Sequence, residues 1–276
     1  MLVSLNEILP QAADSSGAIA CCNVFGIEEA IAIVQGAEAI NRPVILAVNK
    51  DMVDLAGVDV MAGMLVPIAK KSQVPVVVHL DHCYEESIVY QAMHAGFSSV
   101  MFDGSQLPFS ENLARTQQVA KVAKSLGVSL EGELGSVPYE EGRDHIQSII
   151  TSANEAWQYA KESGVDALAV SVGNVHRKMR ADSPIDFKRL QDIEEDMPIP
   201  LVIHGTSGIH PDDLQKLKRT RVAKFNVGTT LRMAMGCKVR ALMKEDLHFD
   251  RSRFALAAIP TLQEEVVRVL SLLAPD

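Results

Sequence analysis

The 276-residue chain is 47% hydrophobic and 22% charged, the balance of a globular protein with ample core for one large domain. Its formal net charge of −9, from 26 basic and 35 acidic residues, excludes a general binder of nucleic acid or anionic membranes. Cys21, Cys22, Cys83 and Cys237 show no C-x-x-C spacing or disulfide pattern, and there is no basic leader or bilayer-length apolar stretch, so a cytoplasmic protein with reduced thiols is expected.

In chain order, β-branched apolar runs bounded by Gly, Pro or Asn predict strands at Ala18–Cys22, Val44–Val48, Val76–Leu80, Ser99–Phe102, Ser129–Glu133, Ala167–Val172, Leu201–His204 and Ala223–Val227. Helix-period stretches such as EEAIAIVQGAEAI, EESIVYQAMHAG and ENLARTQQVAKVAKSLG lie between them, several closed by glycine. Eight alternating units predict an α/β protein, a (β/α)8 TIM barrel forming one domain over residues 1–276. Pro260–Leu273 is read as an extra C-terminal helix. An open doubly wound sheet is the competing architecture, but no G-x-G-x-x-G follows the first strand. Leu134–Thr151, after the fifth strand, carries no predicted element and is the candidate lid.

In a barrel, functional residues gather where strands end. Those exits read Asn23, Asn49, Asp81–His82, Asp103, Glu133, His176, His204 and Asn226. His82, His176 and His204 each close an apolar run (PVVVHLDH, DALAVSVGNVH and PLVIHG), and three imidazoles near carboxylates suit zinc or another divalent metal. His79 is expected to fill the barrel or support a ligand, while His94, His145, His210 and His248 are read as solvated. Gly205-Thr206-Ser207-Gly208 and Asn226-Val227-Gly228-Thr229 follow strands seven and eight, where small residues and a helix N-terminus favour a phosphate. Each of these loops also reads as an ordinary turn.

The segments HLDHCYEESIVYQAMHAGFSSVMFDGSQLPFSEN, SLEGELG, DALAVSVGNVH, LVIHGTSGI and AKFNVGTTLRMA resemble the class II, metal-dependent ketose-bisphosphate aldolases, which include the fructose- and tagatose-bisphosphate enzymes. The resemblance implies His82, His176 and His204 as zinc ligands, with Glu133 ligating when the site is empty. It implies Asp81 as the acid acting on the aldehyde or C4-hydroxyl oxygen, and Glu141 as the lid base that deprotonates the donor. Asn226 would contact that donor, and Gly205, Ser207, Gly228 and Thr229 its phosphate; the exit residues Asn23 and Asn49 join the substrate contacts. The implied reaction interconverts a ketose 1-phosphate or bisphosphate with dihydroxyacetone phosphate and an aldehyde, through a zinc-stabilised enediolate. A possible monovalent cation and a homodimer or homotetramer belong to the same expectation.

Four departures bear on the substrate. Arg177 stands where the family has a glycine after the middle histidine, and Arg177, Lys178 and Arg180 are read as a potential grip on phosphate or carboxylate, or as a block. Pro138 and Tyr139 replace a glycine pair, and Asn49 replaces a small hydroxyl residue. Ser252 stands where an arginine for the distal phosphate is usual, with Arg251 and Arg253 as substitutes. A non-catalytic sugar-phosphate-binding paralogue, and an aldolase acting on an acidic or non-bisphosphate substrate, are the alternatives. Schiff-base chemistry at Lys224 would leave the three histidines without a role.

Overall fold

The computed structural model describes residues 1–143, 145–245 and 250–275. Its strands are β1 (Ile19–Asn23), β2 (Val44–Val48), β3 (Val76–Cys83), β4 (Ser99–Phe102), β5 (Ser129–Leu134), β6 (Ala167–Val170), β7 (Leu201–Ile203) and β8 (Val222–Val227). Every neighbouring pair is parallel and β8 pairs with β1, which closes the barrel that the alternating pattern predicts. Its helices are α1 (Leu5–Asp14), α2 (Ile27–Ala39), α3 (Lys50–Ala56), α4 (Val58–Lys71), α5 (Glu86–Ala95), α6 (Phe109–Leu126), α7 (Ala153–Glu162), α8 (Phe187–Glu194), α9 (Pro211–Leu217), α10 (Thr229–Glu245) and α11 (Arg251–Leu272). No single helix among the described residues is long and apolar enough to cross a membrane.

Alternation along each strand divides the core in two. Outward residues such as Val76, Val78 and Leu80 pack under the helices. Inward residues at the strand starts, among them Ile45, Val77, Met101 and Ala223, form a second cluster with Leu5, Ile8 and Leu9 of α1. That helix, absent from the predicted elements, plugs the lower mouth of the barrel. It begins where the Ser4 amide donates to Glu7 at 2.7 Å, a capping box.

Two other boundaries differ from expectation by three residues or more. The C-terminal helix starts nine residues before Pro260, at Arg251, just after the cap residue Asp250, whose carboxylate accepts from Ser252 and Arg253 amides at 3.0 and 3.4 Å. Proline commonly opens helices, which is why the pattern misleads; here it lies inside α11. Strand β3 runs three residues past Leu80, through Asp81 and His82 to Cys83.

Candidate active site

The upper half of the barrel is polar where the lower half is apolar. On β3 the inward series Val77, His79, Asp81 follows the strand's two-residue period. A register shift between Leu80 and Cys83 then breaks the alternation, and His82 takes φ 51°, so neighbours Asp81 and His82 both line the same cleft. His176, in the loop after β6, and His204, at the end of β7, complete a trio. Each imidazole offers a nitrogen, and these nitrogens lie within 4.8 Å of one another.

Carboxylates orient two of the rings. His82 Nδ1 meets Asp103 Oδ2 at 2.8 Å, and His204 Nε2 meets Glu131 Oε1 at 3.1 Å. Glu131 takes the His204 Nε2–H and leaves Nδ1 with a free lone pair. Burial would lower the His82 pKa, but the Asp81 and Asp103 carboxylates raise it to about 9, so Nε2 gives up its proton when a metal binds. His82 Nε2, His204 Nδ1, His176 Nε2 and Glu133 Oε2 are buried with no hydrogen-bond partner among the described residues. Burial, reinforced by the neighbouring His82, drives His176 and His204 well below the ordinary imidazole range, so both are neutral, the form that ligates metals. Buried lone pairs without partners are costly unless a cation satisfies them, and this donor set fits a borderline divalent ion.

Asp81 stands between two amides: Asn23 Nδ2 donates to Oδ2 at 3.0 Å, and Asn226 Nδ2 to Oδ1 at 2.9 Å. Burial by itself would raise its pKa, but the charged His82 and Lys224 hold it below the usual carboxylate range. Beneath the site, Lys224 forms an ion pair with Glu131 Oε2 at 2.8 Å and donates to Glu131 Oε1 at 3.1 Å and to Asn226 Oδ1 at 2.6 Å. Burial disfavours the charged amine, yet the Glu131 carboxylate helps to keep its pKa above the ordinary value. A protonated lysine clamped in this way is no nucleophile.

The cleft is open to solvent, with about 560 Å³ of non-atom space within it. Of the residues singled out in the sequence, Asn23, Asn49, Asp81, His82, His176, Arg177, Gly205, Ser207, Asn226, Gly228 and Thr229 line it. Asn49 also caps α3, its side chain accepting from the Met52 amide at 3.2 Å. His204 and Glu133 are buried and do not line the cleft. Glu141 does not line the cleft; it is exposed on the segment after Tyr139. Lys178 pairs with Asp182, and Arg251 with Glu28 at 3.3 Å, both away from the cleft lining. Ser252 and Arg253 belong to the first turn of α11. His94, His145 and His210 are exposed, and His248 lies outside the described residues.

The structure adds residues that the strand-exit pattern does not single out. Glu131 and Lys224 look like interruptions inside strands, and only the inward period betrays them. Arg232, in the first turn of α10, lines the cleft beside the glycines after β7 and β8, with the buried, unpartnered Thr206 hydroxyl. Tyr139 stacks on His176 with ring centroids 4.3 Å apart, and Arg143 follows it into the cleft wall.

Residues 3–275 match the family model for class-II fructose-bisphosphate aldolase. A 6-phospho-5-dehydro-2-deoxy-D-gluconate aldolase of Bacillus licheniformis is 36% identical over 271 residues, spanning 96% of this chain and 92% of the relative. A sulfofructosephosphate aldolase of Alkalicoccus urumqiensis is 37% identical over 205 residues, 73% of this chain and 71% of the relative. Among solved structures, the YdjI aldolase from Escherichia coli K12 superposes with a TM-score of 0.88 at 26% identity, covering 100% of this chain and 98% of that one. With a family match over nearly its whole length, the chain belongs to the class II fructose-bisphosphate aldolases and is a lyase.

Proposed function

We propose that the protein is a zinc-dependent aldolase that interconverts a ketose 1-phosphate with dihydroxyacetone phosphate and an aldehyde. The observation that carries this reading is the set of buried, partnerless ring nitrogens on His82, His176 and His204, beside a cleft that Asp81, His82 and His176 line. These histidines, with Glu133 nearby, would hold the cation, which supplies a Lewis acid that polarises the donor's ketone oxygen.

The remaining work falls to the chain's own groups. Amides at Gly205, Ser207, Gly228 and Thr229, with the Arg232 guanidinium, bind the donor phosphate at the start of α10. Glu141 removes the donor's C3 proton, and because its side chain is exposed here, the stretch 140–142 between the anchored Tyr139 and Arg143 must turn inward for that step. Asp81, ionised and held by Asn23 and Asn226, exchanges a proton with the acceptor oxygen as the carbon–carbon bond forms or breaks.

An acidic acceptor half is favoured over a second phosphate. Arg251, a candidate for the distal phosphate, is paired with Glu28 outside the cleft. Both relatives are named for a substrate that carries one phosphate and a different acid, the carboxylate of a gluconate or the sulfonate of a sulfofructose.

The test is hydrogen exchange at C3 of dihydroxyacetone phosphate, followed by NMR with zinc and with chelator. Exchange that chelation abolishes and zinc restores is the expected result. Tight donor binding without exchange would instead identify a sugar-phosphate-binding paralogue, and neither binding nor exchange would remove this donor.

A further inference from the structure

Around the cleft, two sectors of the barrel ring carry positive or anion-seeking groups. One is the pair of small-residue loops after β7 and β8, already read as the phosphate end. The other draws on the exits of β2, β3, β5 and β6. There Arg143 donates to Asp51 Oδ1 at 3.0 Å and Arg177 donates to Asp51 Oδ2 at 3.1 Å. One carboxylate thus bridges two guanidiniums, an oxygen to each. Both guanidiniums also lie over the Tyr139 ring, 5.0 and 5.4 Å from its centroid. Arg143 reaches the Tyr139 hydroxyl at 3.3 Å and the Tyr84 hydroxyl at 3.5 Å as well.

Three features separate this cluster from an ordinary surface ion pair. First, both arginines line the cleft whereas Asp51 does not, so the carboxylate braces them from the outer side. Their side chains are only 12% and 29% exposed, against 48% for Asp51. Second, Arg177 takes φ 61°, a left-handed backbone that suits glycine and costs an arginine about 1–2 kcal/mol. Gly142 (φ 85°) passes so near that a Cβ there would stand 3.0 Å from the Arg177 guanidinium. Third, the charges do not cancel. Two cations share one anion, and a guanidinium has five N–H donors, of which Arg177 spends one among the described residues. Among the described residues these pairs leave an excess of a single positive charge on preorganised planar donors.

We propose that Arg143 and Arg177 form an anion subsite for a monoanionic carboxylate or sulfonate on the aldehyde half of the substrate. Asp51 tunes that subsite by cancelling one of its two charges. The proposal rests on the aldolase reading for the words "aldehyde half", but the anion site stands on its own geometry. Planar guanidiniums match the two-oxygen face of a carboxylate or sulfonate, which is the shape Asp51 already fills from behind. A dianionic phosphate would meet only one net charge. Replacing Asp51 with asparagine restores the second and shifts the preference.

The experiment uses the zinc-loaded full chain in the condensation direction, with dihydroxyacetone phosphate as donor. The acceptors are succinic semialdehyde, its neutral counterpart butyraldehyde, and glyceraldehyde 3-phosphate. The wild type is expected to favour succinic semialdehyde over butyraldehyde in kcat/KM. Arg143→Gln and Arg177→Gln should each erode that ratio about ten- to a hundredfold through KM, the range for losing a charged hydrogen bond. Asp51→Asn should raise the relative rate with glyceraldehyde 3-phosphate.

Equal losses on acidic and neutral acceptors, or no wild-type preference for the acid, would overturn the subsite. Binding of 4-hydroxybutyrate, followed by saturation-transfer NMR, provides a readout that needs no turnover. If donor exchange is absent but 4-hydroxybutyrate binds and is lost in Arg177→Gln, the aldolase reading fails and the anion site survives. If exchange is present and 4-hydroxybutyrate does not bind, the reverse holds.

Discussion

His204 owes its orientation to Glu131, and Glu131 serves two masters. Its Oε1 takes the His204 Nε2 proton at 3.1 Å while its carboxylate holds Lys224 at 2.8 Å. Lys224 in turn contacts Asn226, whose amide donates to Asp81, so the histidine and the acid share one buried chain of hydrogen bonds. Such a chain is costly when broken from one side. Glu131→Gln leaves Lys224 as an uncompensated buried cation and is expected to cost about 3–5 kcal/mol in urea denaturation. It also loosens the His204 tautomer, so zinc affinity in chelator competition should fall about 10–100-fold. The double variant Glu131→Gln with Lys224→Met separates the two effects. Stability should largely return while metal affinity stays low, and recovery of both would reduce Glu131 to a counterion for Lys224.

Among the elements, the loop after β7 shows how backbone geometry carries the site. Gly205 has φ 69°, and a Cβ on it would stand 2.4 Å from the Val175 carbonyl oxygen and 2.6 Å from its carbon. The glycine therefore does more than leave room for a phosphate: it lets the His204 strand end touch the backbone beside His176. Gly205→Ala should cost about 1–3 kcal/mol and weaken zinc binding in parallel, because the clash drives two metal-site histidines apart. Gly236, in α10 with nothing within 4 Å of its Cβ position, gives the opposite sign; alanine there should stabilise by about 0.5–1 kcal/mol in thermal unfolding. Loss of stability in both variants would mean that the contact at Val175 is not what matters. Elements of this kind were partly legible in the sequence. An apolar strand ending in a polar residue is visible by eye, which is why His82, His176 and His204 stand out. The bulge that turns His82 inward leaves no local signal, since strand periodicity assigns it to the outer face. Arg143 and Arg177 meet through Asp51, 92 and 126 positions away, a distance no spacing rule spans. Helix α1 went unpredicted because its apolar face covers the barrel mouth rather than a strand.

Over the whole molecule, the barrel separates what holds it together from what it does. The lower half is closed by small apolar residues and α1, so nothing there depends on a ligand. The upper half gathers His79, Asp81, His82, Glu131, Glu133, His204, Lys224 and Asn226, all buried, and several of their polar atoms lack partners. Free energy is therefore left unclaimed at one end of the fold, and a cation bound by the end of β3 and the segments after β6 and β7 would recover it while tying them to each other. A ligand that binds only the folded chain stabilises it by about 2.7 kcal/mol at a free concentration of a hundred times its Kd. At roughly 2–4 °C per kcal/mol for chains near this size, zinc should raise Tm by about 5–10 °C over the chelated protein. Scanning calorimetry of chelated and zinc-restored samples measures the difference, and His176→Ala should shrink it by weakening the site. If Tm does not respond to zinc in the wild type, the upper barrel is satisfied by its own hydrogen bonds, and the partnerless nitrogens have some other use than holding a metal.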